Sequence, residues 1–482
     1  MNLKTSHVSP STNHKSRGRG ATGISLCIPI LLVLAASAYT SSAASPRIGL
    51  GWTDTDSESI GPNATVVDTI PLPPGVFFSY APTFVPSDGD LYLLAAGGIL
   101  VVNGSTNSYL GKISGPFTGG IPIGGPLVYD AANQELYEIW ENLTIGPEYL
   151  DTYLAAFSTI TQRLVSETLL SNGSTGGPGL GGVAVDPANG NLYVPLSGEP
   201  GFVAVVSGGS NTLVAELTVG NLPQTPALDS RTGDLYVSNL GSQNISVISE
   251  ATPSVESSIA LGFASPSTGI SRSTIDPADG TLFVTSVFSR GTGSMPINYV
   301  QTLSLASQTV IANQTVGLDA GAPFLDPSLN EFVVEDLHNL TVFNASTGDL
   351  IATIPTEPLL GPANYFALNP APQLAYATCP NPIGLAVISL LTDRAVANIT
   401  VSTNPNTVVS GPVFDSDNGE VYLPVGSGTG NELLVIGASG PPTSSGAPAF
   451  GVPFLVGLGV GVVVVLTAAV VLVRSRRRRG GR

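Results

Sequence analysis

The chain is short of most residues that ordinary catalysis uses. Among 482 residues there are three histidines, two cysteines and 11% charged side chains. His7 and His14 belong to the leader, which leaves His338 as the single imidazole of the body. One His and one Cys (Cys379) cannot assemble a transition-metal site of ordinary N/S composition. A Ser-His-Asp arrangement would need His338, and its Leu-His-Asn setting reads as a solvated loop. No G-x-S-x-G, HExxH or Walker sequence occurs. Cys27 lies in an apolar leader, so no internal disulfide is expected; the apolar run follows it, which excludes a lipobox.

Positive charge is equally scarce. All 34 acidic residues fall between Asp54 and Glu432, where only Lys112, Arg163, Arg231, Arg272, Arg290 and Arg394 oppose them. The other basic groups are Arg47 and the two ends, four in the first 19 residues and six from Arg474 onward. An acidic body repels phosphate and excludes nucleic acid as a partner.

The ends carry address signals. Residues 1–22 are polar and basic, Ile24 to Ala38 are apolar, and small residues follow. This is the pattern of a secretory signal, assigned to 1–44, with an uncleaved amino-terminal anchor as the rival reading. A short extension over 45–63 follows, in which Asp54, Asp56 and Glu58 read as a solvated stalk. Val452 to Val473 carries no charge and is long enough to cross a bilayer as a helix. The Arg-rich tail, 474–482, belongs on the cytoplasmic side. Residues 438–451 form a Pro/Gly/Ser stalk. Gly457 and Gly461 make a GxxxG pair, which an ordinary small-residue-rich span also explains. Pro448-Ala449-Phe450-Gly451 ahead of the span resembles an archaeal sorting signal, from which Ala449 departs. The expectation is a single-pass membrane protein with its body outside the cell.

What the chain has is repetition. Fifty-six glycines and 39 prolines punctuate short apolar runs, the look of many strands and tight turns. One phrase returns eight times: VPSDGDLYLL from Val85, DAANQELYEI from Asp130, DPANGNLYVP from Asp186, DSRTGDLYVS from Asp229, DPADGTLFVT from Asp276, DPSLNEFVVE from Asp326, NPAPQLAYAT from Asn369 and DSDNGEVYLP from Asp415. The copies begin 43 to 56 residues apart. Each unit reads as four strands, the first two joined by the Asp-Pro-x-x-Gly turn. Strand one is exemplified by Leu127 to Tyr129, Val183 to Val185 and Pro226 to Leu228. Strand three is exemplified by Phe202 to Val206, and strand four by Leu213 to Leu217. Four strands per 40–50 residues without helical periodicity match β-propeller blades, which must stack around an axis to bury both faces.

The array ends predict how the ring closes. The last unit has three strands and then enters the stalk, whereas Ala64 to Leu72 resembles a fourth strand with none before it. Together they complete one blade and remove the exposed edges. The fold expected over 64–437 is an all-β, eight-bladed propeller; seven blades is the alternative if the Asp130 unit, with its insert around Pro147 to Asp151, is an elaboration.

DPANGNLYVP, DSRTGDLYVS followed by NISVIS, and DPADGTLFVT resemble the YVTN family of β-propellers, which includes archaeal surface-layer and YncE-like proteins. The name-giving tetrapeptide is nowhere intact; Tyr-Val-Ser-Asn at 236–239 comes nearest. The resemblance implies architecture and a surface location, and no single activity.

The repeat turn residues, Asp130, Asp186, Asp229, Asp276, Asp326, Asn369 and Asp415, have two readings. The aspartates could ring one channel mouth and attract cations, or each could cap its own turn; capping explains their recurrence without a ligand. Asp415 to Glu420 faintly resembles a calcium loop but lacks the alternating third ligand and the distal bidentate Glu. Nine Asn-x-Ser/Thr sequons, at Asn63, Asn103, Asn142, Asn172, Asn244, Asn313, Asn339, Asn344 and Asn398, are candidate glycosylation sites. The function expected is a non-enzymatic surface protein for surface-layer structure, adhesion or binding of ligands, proteins or glycans, without a cofactor. The alternative is an extracytoplasmic, lactonase-like hydrolase with a divalent cation at the channel. A ligand-sensing ectodomain is a third reading.

Overall fold

A computed structural model describes residues 64–438 except 79, 118–120, 124, 143–150, 173–181, 263–267, 289–296, 319, 337–338, 356–365, 370–372, 381–382, 405 and 428–429. The expected signal, stalk, membrane span and tail, together with Asn63 and His338, lie outside the described residues. No helix long and apolar enough to cross a membrane occurs among the described residues.

The described residues form eight antiparallel sheets, six of four strands and two of five. In blade three, for example, the order from axis to rim is Ala184–Val185, Asn191–Leu196, Phe202–Ser207 and Thr212–Thr218. The inner strand begins one residue later than the sequence suggests there and in blades two (Val128–Asp130) and four (Ala227–Asp229). The second strands are buried along nearly their whole length because each blade is covered on both faces. Outer strands instead alternate, as in the exposed and half-buried Thr309–Val316.

Eight apolar clusters hold the blades together, one per seam. Along a second strand, successive side chains point to opposite faces. Tyr92 and Leu94 therefore pack with Leu136, Trp140 and Phe157 of blade two. Leu91, Leu93 and Ala95 pack with Tyr422, Leu433 and Val435 of blade eight, where Ile70 and Leu72 of the first strand join them. The remaining seams repeat this arrangement around the ring. Eight seams for eight blades, with the last blade on the first, settle the count at eight.

Closure is as expected. Ala64–Leu72 pairs antiparallel with Gly430–Ala438 and supplies the outer strand of the last blade.

The turn between the first two strands explains the repeated phrase. A residue at its end, just ahead of strand two, has positive φ in all eight copies: Gly89, Gln134, Gly190, Gly233, Gly280, Asn330, Gln373 and Gly419. Glycine fills that position five times because it adopts the left-handed region without a Cβ clash.

Candidate functional site

The landmark aspartates are tied into their turns. Asp130, Asp186, Asp229, Asp276, Asp326 and Asp415 are almost fully buried. In each, Oδ1 accepts the backbone N–H two residues on: Ala132, Ala188, Arg231, Ala278, Ser328 and Asp417, at 2.8–3.0 Å. The suspected calcium loop is the blade-eight copy, with Asn418 N also donating to Asp415. At Asn369 the backbone pairs with Leu374. None of these residues lines the channel cavity. Each of the six aspartates thus caps its own turn.

The cavity lies at the other end of the inner strands. Its volume is about 600 Å³, and its walls come from blades one to seven. The residue ten positions before the first core residue of strand two lies two residues ahead of the inner strand, or within it in blade five. That position is Ala81, Pro126, Gly182, Thr225, Arg272, Ala322 and Gly411 in the described blades. All but Gly411 line the cavity. Small residues let the inner strands crowd the axis, and Arg272 is the one cationic residue among them.

Arg272 is fixed by its own blade. Thr268–Asp276 pairs with Thr281–Phe288, with a register shift between Ile270 and Arg272 that marks a bulge at this point of the strand. Its carbonyl accepts a long bond from Thr285 Oγ1 at 3.4 Å. The one ion pair among the described residues, Arg231–Asp229 at 3.0 Å, leaves Arg272 without a carboxylate partner.

The second charged group is Glu335, three residues beyond the first core position of strand two in blade six. At this register blades one, two, three and eight carry Leu94, Ile139, Pro195 and Pro424. Blades four to seven carry Ser238, Thr285, Glu335 and Thr378, all buried. At this one position the ring is therefore apolar through half its blades and polar or charged through the other half. Ser238 Oγ, Glu335 Oε1 and Thr378 Oγ1 have no hydrogen-bond partner. Burial pushes the Glu335 carboxyl well above the usual carboxylate range, and the neighbouring charge of Asp336 adds to this. Asp336 itself is bonded inward, accepting from Gly317 N at 3.0 Å and Asn339 N at 2.9 Å.

Around these two groups the wall is mainly apolar, with Ile123, Val128, Val183 and the tilted ring pair Phe324 and Phe366, whose centroids are 5.1 Å apart. Thr225 Oγ1 accepts Gly182 N at 2.7 Å, and Thr274 Oγ1 donates to Pro323 O at 2.6 Å, bonds that join adjacent inner strands. A divalent cation of the calcium type takes six to eight oxygens. Among the described residues the cavity wall offers one carboxylate, and no group of three or more His, Cys, Asp or Glu gathers. This donor set does not fit the lactonase-like cation site.

The sequons sort by exposure. Asn172, Asn313 and Asn398 are exposed on outer strands. Asn103, Asn244 and Asn339 are half-buried, and their Nδ2 groups donate to Asp90, Ser258 and Asp336. Asn344 accepts from Ser346 N and Thr347 N within its turn, and Asn142 is half-buried.

Arg272 and Glu335 were not singled out by sequence reasoning. The signal was there: a constant offset of ten residues before, and three after, the start of each second strand.

No protein-family model matches the chain, and no curated protein matches its sequence. Among solved structures it is similar to a chain of Kuenenia stuttgartiensis hydrazine synthase, 15% identical over 76% of this chain and 96% of that one, with a TM-score of 0.43. A likeness at that level carries nothing about this chain's chemistry.

Proposed function

We propose that this chain is a non-enzymatic recognition protein of the cell surface, a propeller of the YVTN type on a short stalk. The carboxy-terminal apolar segment anchors it, and the signal-like leader exports it. The observation that supports recognition is Arg272, an exposed residue without a carboxylate partner among the described residues, in the wall of a mainly apolar cavity of about 600 Å³ on the ring axis. Few convergent polar groups in a preformed apolar concavity are the usual make-up of a binding site. Catalysis asks for more, namely a nucleophile, base and stabilising group converging on one point. The sequence supports the location, with a basic tail after an apolar run at one end and a leader at the other.

The location is tested by placing a specific protease site within residues 438–451 and adding the protease to intact cells. Release of the propeller into the medium is expected. Cleavage only after the cells are permeabilised would overturn the surface reading.

A further inference from the structure

We propose that the turn end of the propeller rests on the membrane surface through blades two and seven. Ile160 and Leu391 enter the lipid interface there, and Arg163 and Arg394 beside them engage lipid phosphates. The axial cavity, at the other end of the inner strands, then opens away from the cell. This deepens the surface reading and rests on its membrane anchor.

The chain itself brings that end to the lipid. Neighbouring strands of a blade are antiparallel, so the inner turns (strands one to two) and the outer turns (strands three to four) share one end. In blade eight the third strand finishes at Ala438, where the other blades make their outer turn, and Ala438 pairs with Ala64 of the first strand. Both ends of the described ring therefore leave at the turn end. Residues 439–451 separate Ala438 from the apolar span and reach at most about 50 Å.

The outer turns supply the contact. Their second position is Ser105, Ile160, Gly209, Ala251, Ala306, Ser346 and Leu391 in blades one to seven. Ile160 and Leu391, 71% and 59% exposed, are the two most exposed large apolar side chains among the described residues. Three residues further on, the series reads Ser108, Arg163, Thr212, Ser254, Thr309, Asp349 and Arg394. Blades two and seven alone combine an apolar tip with a cation. They flank the blade-eight exit, blade seven directly and blade two beyond blade one.

The tips are tied to their own blades. Thr159 N donates to Gln134 O at 3.0 Å and Leu390 N to Gln373 O at 2.9 Å, and Leu390 is buried. Docking therefore has little ordering to do. Arg163 and Arg394 are exposed, and neither forms an ion pair among the described residues. Beside an anionic bilayer an arginine gains phosphate contacts, and an apolar neighbour gains burial in the interface.

Charge selects the same side of the ring. At this end blades four to six expose Glu256, Asp279 and Asp349, and the basic residue there, Arg231, is already paired with Asp229. The exposed carboxylates of blades one and eight at this end, Asp88 and Asp417, lie on the inner turns, nearer the axis. Exposed apolar residues on the outer strands, such as Val214 and Leu350, recur from blade to blade and single out no sector.

The test is tryptophan quenching in full-length protein, held in bilayer discs of brominated phosphatidylcholine with or without phosphatidylglycerol, after subtraction of the wild-type signal. The indole added in I160W and L391W should be quenched severalfold more than that in A306W, at the same position of blade five. R163Q/R394Q, built into I160W, should lower the docked-to-free ratio in anionic discs by about fivefold per arginine and remove the preference for them. Thermal midpoints confirm that the variants fold. If one does not, hydrogen exchange of the wild type is the same test, slower over 159–163 and 390–394 in anionic than in zwitterionic discs and unchanged over 305–309. Equal quenching at all three positions, stronger quenching at 306, or no effect of R163Q/R394Q would each overturn the assignment. So would tips that are protected but unquenched, the sign of a protein partner. Discs that hold the protein without quenching at 160 and 391 would sink the docking and leave the anchor standing. Failure to enter the discs at all would sink both.

Discussion

Glu250 of blade four faces the buried carboxyl of Asp186 across the seam from blade three. Desolvation, followed by the hydrogen bond to Asp186 and its charge, pushes Glu250 up to about 7. Asp234 adds to the rise and Asn189, which donates to Glu250, opposes it. Asp186 Oδ2 is buried with no hydrogen-bond donor among the described residues, so the proton that Glu250 retains is what makes the approach of the two groups favourable. Other seams place Gly104 or Gly208 where blade four has Glu250.

A raised carboxyl pKa means that the folded state holds a proton which the unfolded state releases. This contribution is fully present below about pH 4.5, declines as pH rises, and is gone above about 7. The thermal midpoint should therefore fall between pH 5 and pH 8, and fall less in E250Q. Equal pH dependence in the two proteins would show that the pair is not coupled.

Asp276 caps its turn through Ala278 N at 2.8 Å and is 2% exposed. D276A should lose about 1–3 kcal/mol of stability in urea, the cost of orphaning buried donors. Millimolar calcium should not change the midpoint of the wild type if the landmark aspartates act only as caps. A calcium-dependent rise that D276A abolishes would restore the cation reading.

Sugar attachment needs a free Asn Nδ2 on an accessible surface. In a host with the machinery, glycopeptide mapping should find Asn172, Asn313 and Asn398 occupied well above Asn103, Asn244 and Asn339. The reverse order would mean that the turn hydrogen bonds of the latter three open readily.

Much of the ring was legible because its cause is local. The Asp turn, the residue with positive φ before strand two and the Leu-Tyr-Val run all lie within ten residues, and their recurrence exposes the blade. Even closure could be read, because Ala64 to Leu72 lacks partners on one side and the blade-eight unit lacks them on the other. The inner strands slipped by a residue because only two or three residues pair there, too few for a period to show. The axial site was hidden for a different reason. Arg272 and Glu335 lie in different blades, and each is unremarkable alone. They stand out only once eight copies are superimposed on a ring, where each is the one charged residue of its series.

Ring closure is tested most directly by joining the first strand to the last. Val66 and Ile436 are directly opposed in the antiparallel ladder, a geometry whose Cα separation suits a disulfide. In the double variant V66C/I436C, mild oxidation should link the two introduced thiols within one chain, with peptide mapping recovering positions 66 and 436 in one bridged fragment from monomeric protein. A link found only between two chains, or no link while the thiol introduced at position 66 reacts freely with a thiol reagent, would contradict a ring sealed by its own first strand.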